Sequence, residues 1–262
     1  MISRVVELGR PTWAPGIEAV LSRVRRLVEG DVPIVSKATC ILLLNDDEYL
    51  ANAAEDYCST LYRILCASRS KRSVRQLPAE VFEAAATGKV DYVFNFLSAV
   101  KVPEDILDST NKLALNFHPA PPEYPGVGCA SYALFDRAET YGVVAHRMEK
   151  TYDSGEILKV LRFSITPGDY CDTLFDRALN YTLLLFYEVC YELAQHGKLD
   201  PCGEEWARQP GTRKEFEEWM VIRFSDSEEL AERKIRATQH NRFAGPYVEF
   251  MGRRFAMPPR EK

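Results

Sequence analysis

The 262-residue chain has no C-x-x-C pair among its seven cysteines, no apolar run near the ~20 residues of a membrane span, and no excess of positive charge. Each absence removes a class of function. The unpaired cysteines (Cys40, Cys58, Cys66, Cys129, Cys171, Cys190, Cys202) lie mostly in apolar stretches, and nothing places a partner beside one. They are expected to be free, mostly buried thiols in a reducing cytosol, with no catalytic cysteine and no metal. The missing apolar run implies a cytoplasmic protein that meets no membrane. A net charge of -5 argues against a nucleic-acid surface, which needs basic patches against phosphate. There is no internal repeat and no low-complexity segment. The turn after the first expected strand, Asn45-Asp46-Asp47, has no glycine and two acids, so it cannot cradle a phosphate through its backbone.

What is present suits a globular enzyme: 46% hydrophobic and 27% charged residues, on a chain long enough to bury a sizeable core. Residues 1–36 read as an N-terminal extension. In it Ile17, Val20, Leu21, Val24, Leu27 and Val28 recur at helical spacing. The uninterrupted apolar run Cys40–Leu44 is the kind of strand a parallel sheet buries on both faces. Helix Glu48–Leu61, strand Tyr62–Cys66, helix Ala79–Ala86, strand Tyr92–Phe96, a short helix near Pro103–Leu107 and strand Leu113–Phe117 follow in alternation. A helix around Cys129–Asp136, strands Tyr141–Met148 and Glu156–Ser164, and a long helix Thr173–Ala194 complete the pattern. The expected fold is α/β: a Rossmann-like, mostly parallel sheet flanked by helices over residues 37–200. Residues 201–262 form a small C-terminal region with a charged helix opened at Thr212, a helix over Ser227–Ile235, and a β-hairpin over Tyr247–Ala256 turning at Met251-Gly252.

One stretch carries chemistry. Asn116 and His118 stand two residues apart at the end of an apolar strand, so both side chains project from one face. Pro119 fixes the backbone just after them. Asp153 follows in a D-S-G turn whose glycine suits a reversal beside a ligand. An amide, an imidazole and a carboxylate gathered this way can hold an acyl-transfer transition state. Taken singly, each has a plain structural reading, and His146, mid-strand, reads as structural.

The stretches Ala114–Gly126, Tyr141–His146 and Tyr152–Leu158, with Asp91–Ser98 upstream, resemble the folate-dependent formyltransferase family. The resemblance runs from about Thr39 to Leu193. It implies Asn116, His118 and Asp153 as catalytic residues, 10-formyltetrahydrofolate as formyl donor and a small-molecule amine as acceptor. It also implies a pterin slot lined by Phe96, Leu97, Ser98 and Val100, mostly through backbone. The C-terminal segment from Ile235-Arg-Ala-Thr238 to Phe255 is similar to that of sugar N-formyltransferases, which points to a nucleotide-linked amino sugar and to a homodimer.

On that reading Asn116 donates an amide N–H to the developing oxyanion, and His118, kept charged by Asp153, supplies a second donor. The Pro119–Gly128 loop forms the acceptor wall, with Gly126 as a pivot and Tyr124 as a stacking platform. Other readings stay open: formylation of an amino acid or hydroxylamine, hydrolysis of formyltetrahydrofolate, or non-catalytic folate binding. The first ~36 residues are short for the regulatory domain that formyltetrahydrofolate hydrolases carry. A transfer-RNA acceptor fits the acidic charge poorly.

Overall fold

A computed structural model describes residues 38–241 and 245–259. The helix expected over residues 17–28 lies outside them. A six-stranded sheet organises the chain, in the order β2-β1-β3-β4-β5-β6. Its strands are β1 (Thr39–Asn45), β2 (Arg63–Ser70), β3 (Tyr92–Phe96), β4 (Leu113–His118), β5 (Thr140–Arg147) and β6 (Ile157–Ser164). β2, β1, β3 and β4 pair in parallel, and β5 and β6 continue the sheet antiparallel.

Side chains alternate across β1, and the two faces bury them in different layers. Cys40, Leu42 and Leu44 pack with Phe94 and Phe96 under α1 (Glu48–Leu61) and, later in the chain, the 26-residue α5 (Cys171–His196). Ile41 and Leu43 face the other way, onto α2 (Ala79–Ala86) and Ile106 of α3 (Glu104–Asp108). Burial on both faces explains the unbroken apolar run. Asp47 caps α1 by accepting from Leu50 N at 3.0 Å, so the glycine-free turn is a helix start. The long α5 stops at Gly197, whose φ of 70° is the left-handed C-terminal position.

α4 (Cys129–Phe135) packs against α7 (Glu228–Thr238) of the C-terminal region. That region also holds α6 (Arg213–Trp219) and a three-stranded sheet of β7 (Val221–Ile222), β8 (Tyr247–Phe250) and β9 (Arg253–Ala256). The hairpin forms where the sequence places it, with Met251-Gly252 at the turn. β7 is an addition to the sequence reading, since two residues are too few for a period to show. Buried Lys234 pins this region by donating to Asp226 and the Val221 carbonyl. Among the described residues, no helix is long and apolar enough to cross a membrane.

Candidate active site

Parallel and antiparallel halves of the sheet meet at β4, and Asn116 and His118 end that strand. Across the antiparallel pair Asn116 stands opposite His146 of β5. A register shift at Ala145/His146 in the β5–β6 pairing re-aims the strand at this point. Asp153 enters from the β5–β6 connection, held at φ 43°. A left-handed aspartate is strained backbone, of the kind kept where a side chain must be aimed.

The three sequence-predicted residues come together here. His118 Nδ1 lies 3.5 Å from Asp153 Oδ2, and Asn116 Nδ2 lies 3.4 Å from Asp153 Oδ1. Gly126 N donates to Asp153 Oδ2 at 3.0 Å. Gly126 therefore supports the carboxylate through its own backbone. It has no room for a side chain, because a Cβ there would fall 2.4 Å from the Gly211 carbonyl.

His146, expected as a structural histidine, packs into the same cluster. Its Nδ1 is 2.7 Å from the Arg147 carbonyl, an acceptor only, so Nδ1 carries hydrogen and donates. In the neutral ring Nε2 is then bare and accepts from Asn116 Nδ2 at 3.0 Å. His146 Nε2 is also 3.5 Å from Asp153 Oδ1. Both hydrogens of the Asn116 amide are thus engaged. An arriving oxyanion would compete for the longer one, to Asp153.

The charge state of His118 also differs from the expectation. Burial lowers its pKa below the usual histidine value, the carboxylate of Asp153 and the Tyr124 carbonyl oppose this, and His146 adds to it. Burial wins, so His118 is neutral at neutral pH. Its Nε2 is buried and bonded to nothing. Burial would raise the Asp153 carboxyl, but His118, His146 and the Gly126 N–H together hold it down at about 2. The site at neutral pH is an ionised aspartate beside a neutral imidazole with a bare nitrogen.

Tyr124 is not an open platform. It is buried, stacked at 25° to Tyr141, with the Arg208 guanidinium 4.8 Å from its ring centroid. The loop folds inward because Tyr124 fills core space next to α4. Of the residues expected to line the pterin slot, Phe96 and Val100 are buried, and Phe96 pairs in register with Phe117 while its ring packs on Phe117 and Phe186. Leu97, half-buried, takes φ 61° and bridges back to Leu44. Ser98 Oγ bonds Ser70 Oγ at 2.8 Å. Around them the structure adds two residues that the sequence reading did not single out as site residues. Asn45 Oδ1 and Asn95 Oδ1, on β1 and β3, are buried acceptors without partners. They sit where the chain order reverses between β1 and β3, the crevice in which open α/β sheets bind ligands.

Comparison with known proteins gives this geometry a lineage. GDP-perosamine N-formyltransferase of Brucella melitensis biotype 1 is 27% identical over 117 residues, 44% of this chain and 45% of that protein. Methionyl-tRNA formyltransferase of Neisseria gonorrhoeae is 24% identical over 181 residues, 69% of this chain and 54% of that one. The chain spans about half the length of the curated relatives it matches. Among solved structures, the N-formyltransferase from Helicobacter canadensis in complex with folinic acid and dTDP-3-aminofucose shares the fold. The TM-score is 0.55 at 16% identity, covering 82% of this chain and 93% of that one. The formyl transferase family model matches residues 38–189, more than half of the sequence, and the chain belongs to that family.

Proposed function

We propose that the protein moves a formyl group from 10-formyltetrahydrofolate to the amine of a nucleotide-linked amino sugar. The observation that carries this is the bare, buried His118 Nε2 backed by ionised Asp153, at the strand end the family resemblance marks. A neutral imidazole accepts the proton that an attacking amine must lose as its nitrogen bonds the formyl carbon. The Asp153 carboxylate stabilises the imidazolium so formed. His118 then returns the proton to the departing folate nitrogen as the old carbon–nitrogen bond breaks. Asn116 and the protonated His118 are the donors available to the oxygen that gains charge between those steps.

The crevice beside β1 and β3 fits a pterin, whose ring edge offers N–H donors. Asn45 Oδ1 and Asn95 Oδ1 are acceptors in want of them, and Leu97 and Ser98 stand beside them, Leu97 bridging Leu44 and the Ser98 carbonyl accepting from Asn95 Nδ2. The bound folate would supply the formyl carbon; the residues named here hold it and handle protons.

An amino-sugar acceptor is supported by the Brucella relative and by the ligand named for the Helicobacter structure. The net charge of -5 disfavours transfer RNA. Incubating the protein with formyl donor and a panel of nucleotide-linked amino sugars, then reading mass gain, tests the reading. Formylation of a free amino acid or hydroxylamine alone would overturn the substrate class, and fast donor turnover without any amine would make the protein a hydrolase.

A further inference from the structure

Beyond α5, residues 202–212 run back across the site as a strap. Cys202 N donates to the Ile157 carbonyl (3.2 Å), Ala207 N to Pro122 (3.1 Å) and Gly211 N to Pro125 (3.2 Å), while Val127 N donates to Gly211 (2.9 Å). Between these anchors Trp206 lays its indole against both imidazoles of the site. Its ring centroid is 5.1 Å from His146 at 87° and 6.2 Å from His118 at 67°. Nε1–H donates to the Gly155 carbonyl at 2.8 Å, two residues past Asp153. Gly155 is itself fixed in close contact, since a Cβ there would lie 2.1 Å from the Arg147 carbonyl.

The reacting nitrogen of His118 is buried, so an acceptor reaches it only when a neighbour yields. The strap's backbone is held at several points, but the indole has a single polar atom and therefore a single tether. We propose that Trp206 is the acceptor-side wall of the site and selects an amine-bearing sugar over water, an inference that rests on the formyl-transfer reading. A sugar presents an apolar C–H face that can take up the ring contact the imidazoles give up. Water brings no such area and leaves the wall shut. Opening is then coupled to the right acceptor, and the formyl carbon is shielded from hydrolysis until the acceptor arrives.

The test measures tetrahydrofolate release without amine and formylated product with amine, in the full chain and in Trp206→Ala, Trp206→Leu and Trp206→Phe. The ratio of transfer to hydrolysis is expected to fall at least about ten-fold in Trp206→Ala and Trp206→Leu, the size that two lost aromatic contacts supply. The KM for the sugar nucleotide should rise alongside. Trp206→Phe keeps an aromatic ring, though a smaller one, and loses the tether, so its ratio should stay within about three-fold of wild type. Should Trp206→Ala not fold, Trp206→Leu carries the same expectation with more of the bulk retained. A folded Trp206→Ala or Trp206→Leu with the wild-type ratio overturns the inference. So does a Trp206→Phe that leaks as Trp206→Ala does, because the ring would not then be the wall. Failure of the formyl-transfer reading looks different: the wild-type protein itself would consume no donor in either assay, or would hydrolyse it without forming formylated product.

Discussion

An alanine at position 126 would place its Cβ 2.4 Å from Gly211 O, 2.5 Å from Gly211 N and 2.9 Å from Pro210 C, all backbone atoms of the strap. None is the free end of a side chain, so the strap or the loop must shift. The φ of 83° adds a left-handed penalty of roughly 1–2 kcal/mol for an L-residue. Forcing a methyl into filled space adds roughly 1–3 kcal/mol. Gly126→Ala is therefore expected to destabilise by roughly 2–5 kcal/mol. Gly88→Ala is the control, because Gly88 has φ 65° with nothing within 4 Å of its built Cβ. It should show the backbone penalty alone, roughly 1–2 kcal/mol. At roughly 2–4 °C per kcal/mol for a chain this size, the Tm values of the two variants should differ by about 2–12 °C. Thermal unfolding followed by circular dichroism reads both. Gly126→Ala should also lose about ten-fold or more in kcat/KM, as its N–H swings away from Asp153 Oδ2 and a charge-assisted bond is lost. Equal Tm values for the two variants would refute the contact between loop and strap.

Asn116→Ala, His118→Ala and Asp153→Ala should each fold and lose roughly 10²–10³ in kcat, with combined losses far short of additive; a His118→Ala enzyme within a few-fold of wild type would remove His118 from the chemistry. The pH profile of kcat/KM should keep its plateau below pH 6.5, because burial lowers the His118 pKa and its neutral form is the working one. The sign for stability is the same: between the unfolded value near 6.5 and the lower folded one, the unfolded chain binds the extra proton, so stability falls as pH falls through that window. Asp153, at about 2, titrates too low to produce this limb, and an acid limb above pH 6.5 would contradict the burial argument.

The sheet was legible because its chemistry is local. An unbroken run such as Ile41-Leu-Leu-Leu44 has one stable placement, and Asp47 and Gly197 mark helix ends by what their side chain or its absence allows. Asn116, His118 and Asp153 were legible because two share a strand face and the third sits in a recognisable turn. His146 was not, since its partner Asn116 is set by a cross-strand register that spacing along the chain does not encode. A polar ring among Val143, Val144 and Ala145 was the available signal. Trp206 stands alone in a polar, glycine- and proline-bearing segment, and only the backward run of residues 202–212 gives it a place. Tyr124 misled in the opposite direction: aromatic and in a proline-rich loop, it fills core space instead of waiting for a ligand. The protonation of His118 turned on how deeply the ring sinks, which no residue pattern reports.

β4 is shared property. On one side Asn95 pairs in register with Asn116 and Phe96 with Phe117; on the other Asn116 faces His146 and His118 faces Val144. On the proposed reading, the crevice for the donor and the histidines for the acceptor are measured off the same six residues, as two scales are cut on one ruler. A slip of one residue in β4 would displace both at once and turn Asn116 and His118 to the opposite face. The strand is for that reason the gauge of the machine. The loops around the site can drift in length or composition, provided they leave the gauge between Leu113 and His118 unmoved.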